Sequence, residues 1–202
     1  MKLYYAPGTC SMASHIVLHE TGLPFAVDRL NPVTKTTAGG EDFVQVNPKG
    51  YVPALRLDDG SVLTEGAAIL QYIADQKPAS GLAPKAGTLE RYRLQERLTF
   101  ISSEIHKSFS PMFNKAASDE VKGYARTMLT KRLPHVEARL AGTPYLMGDT
   151  FTVADAYLFV VLNWSSHVGF DLSQFPGIRD YLVRIAMRPA VSAAMQAEGL
   201  IQ

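Results

Sequence analysis

The chain has 202 residues, enough to bury a sizeable core in one medium domain or two small ones. Its 47% hydrophobic and 19% charged residues are those of a globular chain and exclude a disordered tail. Twenty basic against nineteen acidic side chains leave a formal charge of +1, which offers no global field for nucleic acid, and no apolar run is long enough to cross a bilayer.

Lys2-Leu3-Tyr4-Tyr5-Ala6 is a short β-prone run halted by Pro7 and Gly8, and it predicts a first strand. From Ser11 to Glu20, Met12, Ile16 and Val17 fall near helical spacing, with Gly22 and Pro24 as the stop. The mixed alternation from Phe25 to Leu30 predicts a second strand, and Glu41 to Val46 a short irregular helix. Asn47-Pro48-Lys49-Gly50 reads as a turn. Leu55 to Leu57 and Ser61 to Leu63 flank Asp58-Asp59-Gly60 and predict a hairpin. Glu65 to Asp75 carries Ala68, Ile69, Tyr72 and Ile73 at helical intervals. The order βαβαββα, with a right-handed parallel crossover between the first two strands, is compatible with a thioredoxin-like α/β layer.

Lys77 to Gly87 concentrates proline and glycine, and a linker is expected at 78–88. Residues 1–77 are then an α/β domain and 89–202 an all-α domain. In the second, helices are expected over Leu89 to Phe113, Glu120 to Leu140, Val153 to Val168 and Ile178 to Met187. Thr152 with Asp155 three residues on has the pattern of a capping box opening a buried helix. The N-terminus lacks a signal peptide's basic and apolar regions, and a single cysteine excludes an intrachain disulfide, so a reducing cytoplasmic setting is expected.

That cysteine, Cys10, lies where the chain leaves the first strand and enters the first helix. Unpaired amides and the positive end of the helix dipole should face its sulfur there and favour the thiolate. His15 and His19 share a helix face but lack a third ligand at a recognisable spacing, so no metal site is expected.

Val52-Pro53 after Asn47-Pro48-Lys49-Gly50, and Leu63-Thr64-Glu65-Gly66-Ala67-Ala68-Ile69-Leu70, resemble the two glutathione-contacting segments of glutathione transferases. Pro7-Gly8-Thr9-Cys10-Ser11, Ser102-Ser103-Glu104-Ile105-His106-Lys107 and Phe151-Thr152-Val153-Ala154-Asp155-Ala156-Tyr157 look like the bacterial beta class. The likeness extends to Glu198-Gly199-Leu200-Ile201. The resemblance implies the glutathione transferase fold and a homodimer that joins glutathione, its co-substrate, to hydrophobic electrophiles. It implies Cys10 beside the glutathione sulfur, able to form a mixed disulfide with it, and His106 donating a hydrogen bond to that sulfur or moving its proton.

By the same resemblance Glu65 holds the γ-glutamyl amino group and the amides of Gly66 and Ala67 its carboxylate. Lys35 takes the glycyl carboxylate, and the backbone of Val52, before a cis Pro53, pairs with the central residue. Ser103 and Glu104 reach glutathione, Glu104 across a dimer interface. Thr99 stands where the class commonly has Asn, and Gly66 where many transferases have Ser. Tyr5, Lys107, Phe109, Phe113, Tyr157, Trp164 and His167 are candidates for the electrophile site, expected between the domains, although aromatic residues at helical spacing mostly pack. Since adjacent thiolates repel, Cys10 is expected to act first as a redox partner, with conjugation resting on the helix terminus and His106. A glutathione-dependent reductase or dehalogenase, or a non-catalytic binding protein on the same fold, are the alternatives.

Overall fold

Strand β1 (Lys2–Tyr5) is the inner strand on which a four-stranded sheet is assembled in a computed structural model that describes all 202 residues. It pairs in parallel with β2 (Ala26–Arg29), Leu3 opposite Val27, and antiparallel with β3 (Ala54–Arg56), Leu3 opposite Leu55. β3 turns back into β4 (Val62–Thr64), giving the order β2-β1-β3-β4. A parallel pair needs a crossover, and helix α1 (Ser11–Thr21) supplies it. Leu3 and Tyr4 are consecutive and so point to opposite faces of the sheet, and both are fully buried, so β1 is covered on both faces.

Helix α1 has nine of its eleven residues buried, including Ser14 and His15. Gly22 ends it at φ +61°, its amide returning to the carbonyls of Leu18 and His19, a conformation that a Cβ would oppose. The short α2 (Phe43–Val46) starts where the Asp42 side chain accepts from the Val44 amide. Helix α3 (Gly66–Gln76) follows β4 and buries Ile69, Leu70 and Ile73.

The chain divides into two packed units, Met1–Ala83 with Met187–Gln202, and Pro84–Ala186. The last helix, α9 (Pro189–Ala197), therefore packs with the sheet unit, whereas the sequence pattern had placed everything beyond residue 88 in one helical domain. Val191 and Ala194 are fully buried, and Arg188 clasps Glu20 of α1 through two hydrogen bonds of 2.6 and 3.0 Å. An amphipathic pattern shows that a helix has an apolar face but not which partner covers it.

The second unit contains α4 (Leu89–Phe100), α5 (Lys107–Phe113), α6 (Asp119–Leu140), α7 (Val153–His167) and α8 (Pro176–Ala186). The helix expected over Leu89 to Phe113 is interrupted by a π-type stretch, Ile101–His106, which widens one turn and changes the facing of every later residue. At the head of α7 the capping box forms: the buried Asp155 carboxylate accepts from the Thr152 amide (2.9 Å) and hydroxyl (3.0 Å), the Leu146 amide (2.8 Å) and the Tyr181 hydroxyl (3.2 Å). No helix is long and apolar enough to cross a membrane.

Candidate active site

Cys10 is the residue that opens α1, and its half-buried Sγ lies 3.5 Å from the Val52 carbonyl oxygen, close enough for the thiol to donate. The Val52-Pro53 peptide is cis, as the resemblance implied. The turn before Cys10 is tied down through Ala6, whose carbonyl accepts from the Thr9 hydroxyl at 2.8 Å and the Ser11 hydroxyl at 3.2 Å. Gly8 takes φ +68°, and its amide donates to Glu198 Oε2 at 2.9 Å.

The other oxygen of Glu198 lies 3.0 Å from His15 Nδ1, in α1. One fully buried carboxylate therefore joins the Cys10 turn to the helix that follows it. The sequence likeness included Glu198 but gave it no role, because its partners lie more than 180 positions away. His15 and His19 are stacked at 5.0 Å and edge-packed on Phe25, so the pair belongs to the α1 packing.

At the start of α3, Glu65 holds a backbone φ of +69°, sparsely used by non-glycine residues and often found at binding sites. The amides of Ala68 and Ile69 close on the Glu65 carbonyl, leaving those of Gly66 and Ala67 as the leading donors of the helix. The exposed Glu65 carboxylate accepts from Lys49 Nζ at 2.5 Å and from the Tyr51 hydroxyl at 3.0 Å. Lys49 and Tyr51 were missed as site residues, since a turn motif reveals only backbone shape. The carboxylate holds the pKa values of both above their ordinary values. Lys35, also at positive φ, donates from Nζ to the Gly50 carbonyl at 2.9 Å, while buried Asn47 braces the same turn by donating to the Tyr51 carbonyl at 2.7 Å. The sheet unit thus presents a thiol, the Val52 carbonyl before the cis-proline, a helix N-terminus, a carboxylate and an ammonium group.

In the helical unit, the π-type stretch places His106 against α7, with Nδ1 at 2.7 Å from the Tyr157 hydroxyl and its ring edge-on to Trp164 at 4.8 Å. Burial, and then the neighbouring Lys107 charge, depress the His106 pKa from 6.5 to about 4. The ring is neutral at neutral pH, with one nitrogen engaged by Tyr157. Trp164 also meets Phe109 at 6.0 Å and Phe113 at 5.6 Å.

Not every residue expected to face an electrophile does so. Phe109 is 0% exposed and backs Trp164, Tyr157 is buried with its hydroxyl on His106, and Tyr5 is buried in the sheet unit with its ring against His15. Phe113 is 48% exposed, and Lys107 and His167 are exposed. His167 lies at the end of α7 with Nδ1 3.3 Å from the Asn163 carbonyl, and it makes no ring contact with the Trp164 cluster. The Ser103 hydroxyl donates to the Thr99 carbonyl at 2.9 Å, and the Glu104 carboxylate accepts from Arg132 Nε at 2.6 Å. Both would exchange an internal partner for any ligand. Arg132 was not foreseen.

A free cysteine at a helix start beside a cis-proline, on a βαβαββα layer followed by helices, defines a thioredoxin-like unit in a two-part chain. The chain belongs to the glutathione S-transferase family: the N-terminal domain model of that family matches residues 8–76 and the C-terminal domain model residues 100–189. It is similar to glutathione S-transferase GstA of Escherichia coli O157:H7, with 44% identity over 200 residues, covering 99% of this chain and 100% of the relative. Among solved structures it resembles the ternary complex of BphK, a bacterial transferase, at 54% identity and TM-score 0.97 over 98% of this chain and 100% of that one. Two Sphingomonas-type enzymes, one complexed with glutathione and one described as bacterial beta class, each match at 51% identity and TM-score 0.96 over the full length of both chains.

Proposed function

We propose that the chain conjugates glutathione to electrophilic small molecules and also carries out thiol-disulfide exchange through Cys10. The observation that supports this most is the Cys10 sulfur at the start of α1, 3.5 Å from the Val52 carbonyl. The leading amides of α3 and the Lys35 ammonium stand in the same unit. Glutathione carries two carboxylates, an ammonium group and a central thiol, and this inventory is complementary to it. We assign its γ-glutamyl carboxylate to the amides of Gly66 and Ala67, its ammonium group to Glu65, its glycyl carboxylate to Lys35 and its central backbone to Val52.

In exchange, the Cys10 thiolate attacks the glutathione sulfur of a mixed disulfide, forming the Cys10-glutathione disulfide and expelling the other thiolate. The thiolate of a second glutathione then attacks that bond, restoring Cys10 and leaving as glutathione disulfide. In conjugation, the glutathione thiolate attacks an electrophilic carbon and the leaving group departs with the displaced electron pair. An ionised Cys10 would oppose a second thiolate next to it, so conjugation calls for a neutral donor. From the family resemblance we assign that role to His106, whose low pKa keeps it uncharged and able to donate. Phe113, Trp164 and Lys107 are our candidates for electrophile contact. The same resemblance supports a cytoplasmic homodimer.

The test combines intact-mass measurement before and after reductant with assays of an activated aryl chloride and a glutathione mixed disulfide. A reducible glutathione adduct on Cys10 is expected, and Cys10→Ala should abolish adduct and disulfide reduction while conjugation stays within about tenfold. Loss of both activities in Cys10→Ala would overturn the division of roles. A wild-type chain that does neither reaction would overturn the enzyme reading.

A further inference from the structure

Lys35 belongs to a tightly folded loop, 31–42, between β2 and α2. The Asn31 side chain accepts from the amides of Val33 and Thr34 at 3.0 and 3.2 Å, and its carbonyl accepts from the Lys35 amide at 3.0 Å. Lys35 itself turns at φ +59°, a conformation that a non-glycine residue keeps only where its surroundings impose it. Its carbonyl accepts from the Phe43 amide at 2.8 Å, and its ammonium group has N–H donors beyond the one on the Gly50 carbonyl. At the base of the loop, the Thr37 amide donates to the Glu41 carbonyl at 2.9 Å and the Glu41 amide to the Thr37 hydroxyl at 3.1 Å.

From that base the Glu41 side chain crosses to the sheet. Oε2 accepts from Lys2 Nζ at 2.7 Å and the Tyr4 hydroxyl at 2.6 Å, both in β1, and Oε1 accepts from Arg56 Nη1 at 2.7 Å, in β3. Lys2 above all, then Tyr4 and Arg56, hold the Glu41 carboxyl down to about 2, so it is ionised at neutral pH. The buried Tyr4 ring lies 5.6 Å from that of Phe43, whose amide holds the Lys35 carbonyl. Other contacts tie the loop along β2: the Gly39 amide donates to Asp28 Oδ1 at 3.0 Å and the Ala38 amide to the Arg29 carbonyl at 2.7 Å. Glu41 ties it across β1 and β3, and β3 is the strand that follows Val52-Pro53. A single exposed ion pair is worth little, but three donors on one carboxylate fix both its oxygens. With both oxygens engaged, Glu41 is suited to governing where the loop lies and not to contacting a ligand. We propose that Glu41 is a positioning residue for glutathione: by fastening the 31–42 loop to β1 and β3, it sets the Lys35 ammonium where the glycyl carboxylate arrives. This role rests on the assignment of that carboxylate to Lys35.

Calorimetric titration of the full-length protein with S-methylglutathione and with its glycinamide analogue, nearly the same size but uncharged at that end, tests it. The wild type should prefer the acid about tenfold, and Lys35→Met should bring the two within about twofold. Glu41→Gln should cut the preference to about threefold or less by weakening the acid, with the amide changing less than about twofold. The double variant should bind the acid no more weakly than Lys35→Met alone, because Glu41 acts through Lys35. In steady-state assays Glu41→Gln should raise the glutathione KM and leave kcat within about twofold. Circular dichroism shows whether each variant is folded, and Arg56→Gln, which removes one donor and leaves the loop sequence intact, should also lower the preference. Absence of a preference in the wild type, or one that survives Lys35→Met, overturns the Lys35 assignment and this role with it. If Lys35→Met loses the preference while folded Glu41→Gln and Arg56→Gln keep it, only the role of Glu41 is overturned. Equal weakening of acid and amide in Glu41→Gln would also overturn it, confining Glu41 to stability.

Discussion

The hydroxyl of Tyr157, in α7, stands 2.7 Å from His106 Nδ1 at the end of the π-type stretch. The contact settles which histidine nitrogen is left for another partner: Nδ1 is taken, and Nε2 remains. Tyr157→Phe should leave a buried ring nitrogen without its partner and let the imidazole change tautomer. Conjugation kcat is expected to fall about tenfold, with the glutathione KM changing less than about twofold. Steady-state kinetics with an aryl chloride would show it. An unchanged kcat would mean that the ring orientation does not matter to the reaction.

The depressed pKa of His106 also makes stability depend on pH. The unfolded chain takes up the proton near 6.5, the folded chain only near 4, so the unfolded state binds it first as pH falls. The stability from this site is present in full above about pH 6.5 and is lost between there and about pH 4, by roughly 3 kcal/mol in total. Urea unfolding at a series of pH values should show that slope in the wild type and a flatter one in His106→Asn. Trp164 is the chain's one tryptophan and lies 4.8 Å from the His106 ring, so its fluorescence should report the same titration with a midpoint near 4. A midpoint near 6.5 would show the histidine to be solvated.

Glu198 joins the Gly8 amide to His15, one carboxylate oxygen on each. Removing a buried carboxylate with two partners costs about 3 kcal/mol. Glu198→Ala should lower the urea midpoint accordingly and slow alkylation of Cys10 by iodoacetamide several-fold, because the turn that positions the sulfur loses its anchor. A destabilised protein whose Cys10 reacts at the wild-type rate would confine Glu198 to a structural role.

Gly66 has room for a side chain: a Cβ there would meet only Pro53 Cγ, at an ordinary 3.8 Å. Gly66→Ser adds a hydroxyl beside the leading amides of α3, and one additional hydrogen bond should tighten glutathione binding roughly fivefold. Calorimetric titration with glutathione measures this. Equal or weaker binding would place the γ-glutamyl group elsewhere.

Much of the architecture follows from local pattern. Lys2 to Ala6 before Pro7-Gly8, the hairpin around Gly60 and the helix opened by Thr152 and Asp155 are written within a few residues, and each formed. Cys10 is likewise a matter of local order, a thiol between a strand and a helix. The π-type stretch was not legible, because periodicity over Leu89 to Phe113 is helical throughout and one widened turn shifts it too little to detect. Spacing places Phe109, Phe113 and Tyr157 on helices but does not say which is covered, because burial is decided by the helices opposite: Phe109 and Tyr157 are buried and Phe113 is exposed.

The sequence alone determined the order of strands and helices, the thiol at the start of α1 and the family motifs, since each rests on residues close together in the chain. Only the tertiary structure decided what those groups touch. The Cys10 turn is held by Glu198, His106 is engaged by Tyr157, Glu104 is matched by Arg132, and the last helix joins the sheet unit. Those partners lie from 28 to 190 positions away, and the chain can bring them together only by burying the apolar faces between. No local preference encodes such a pairing.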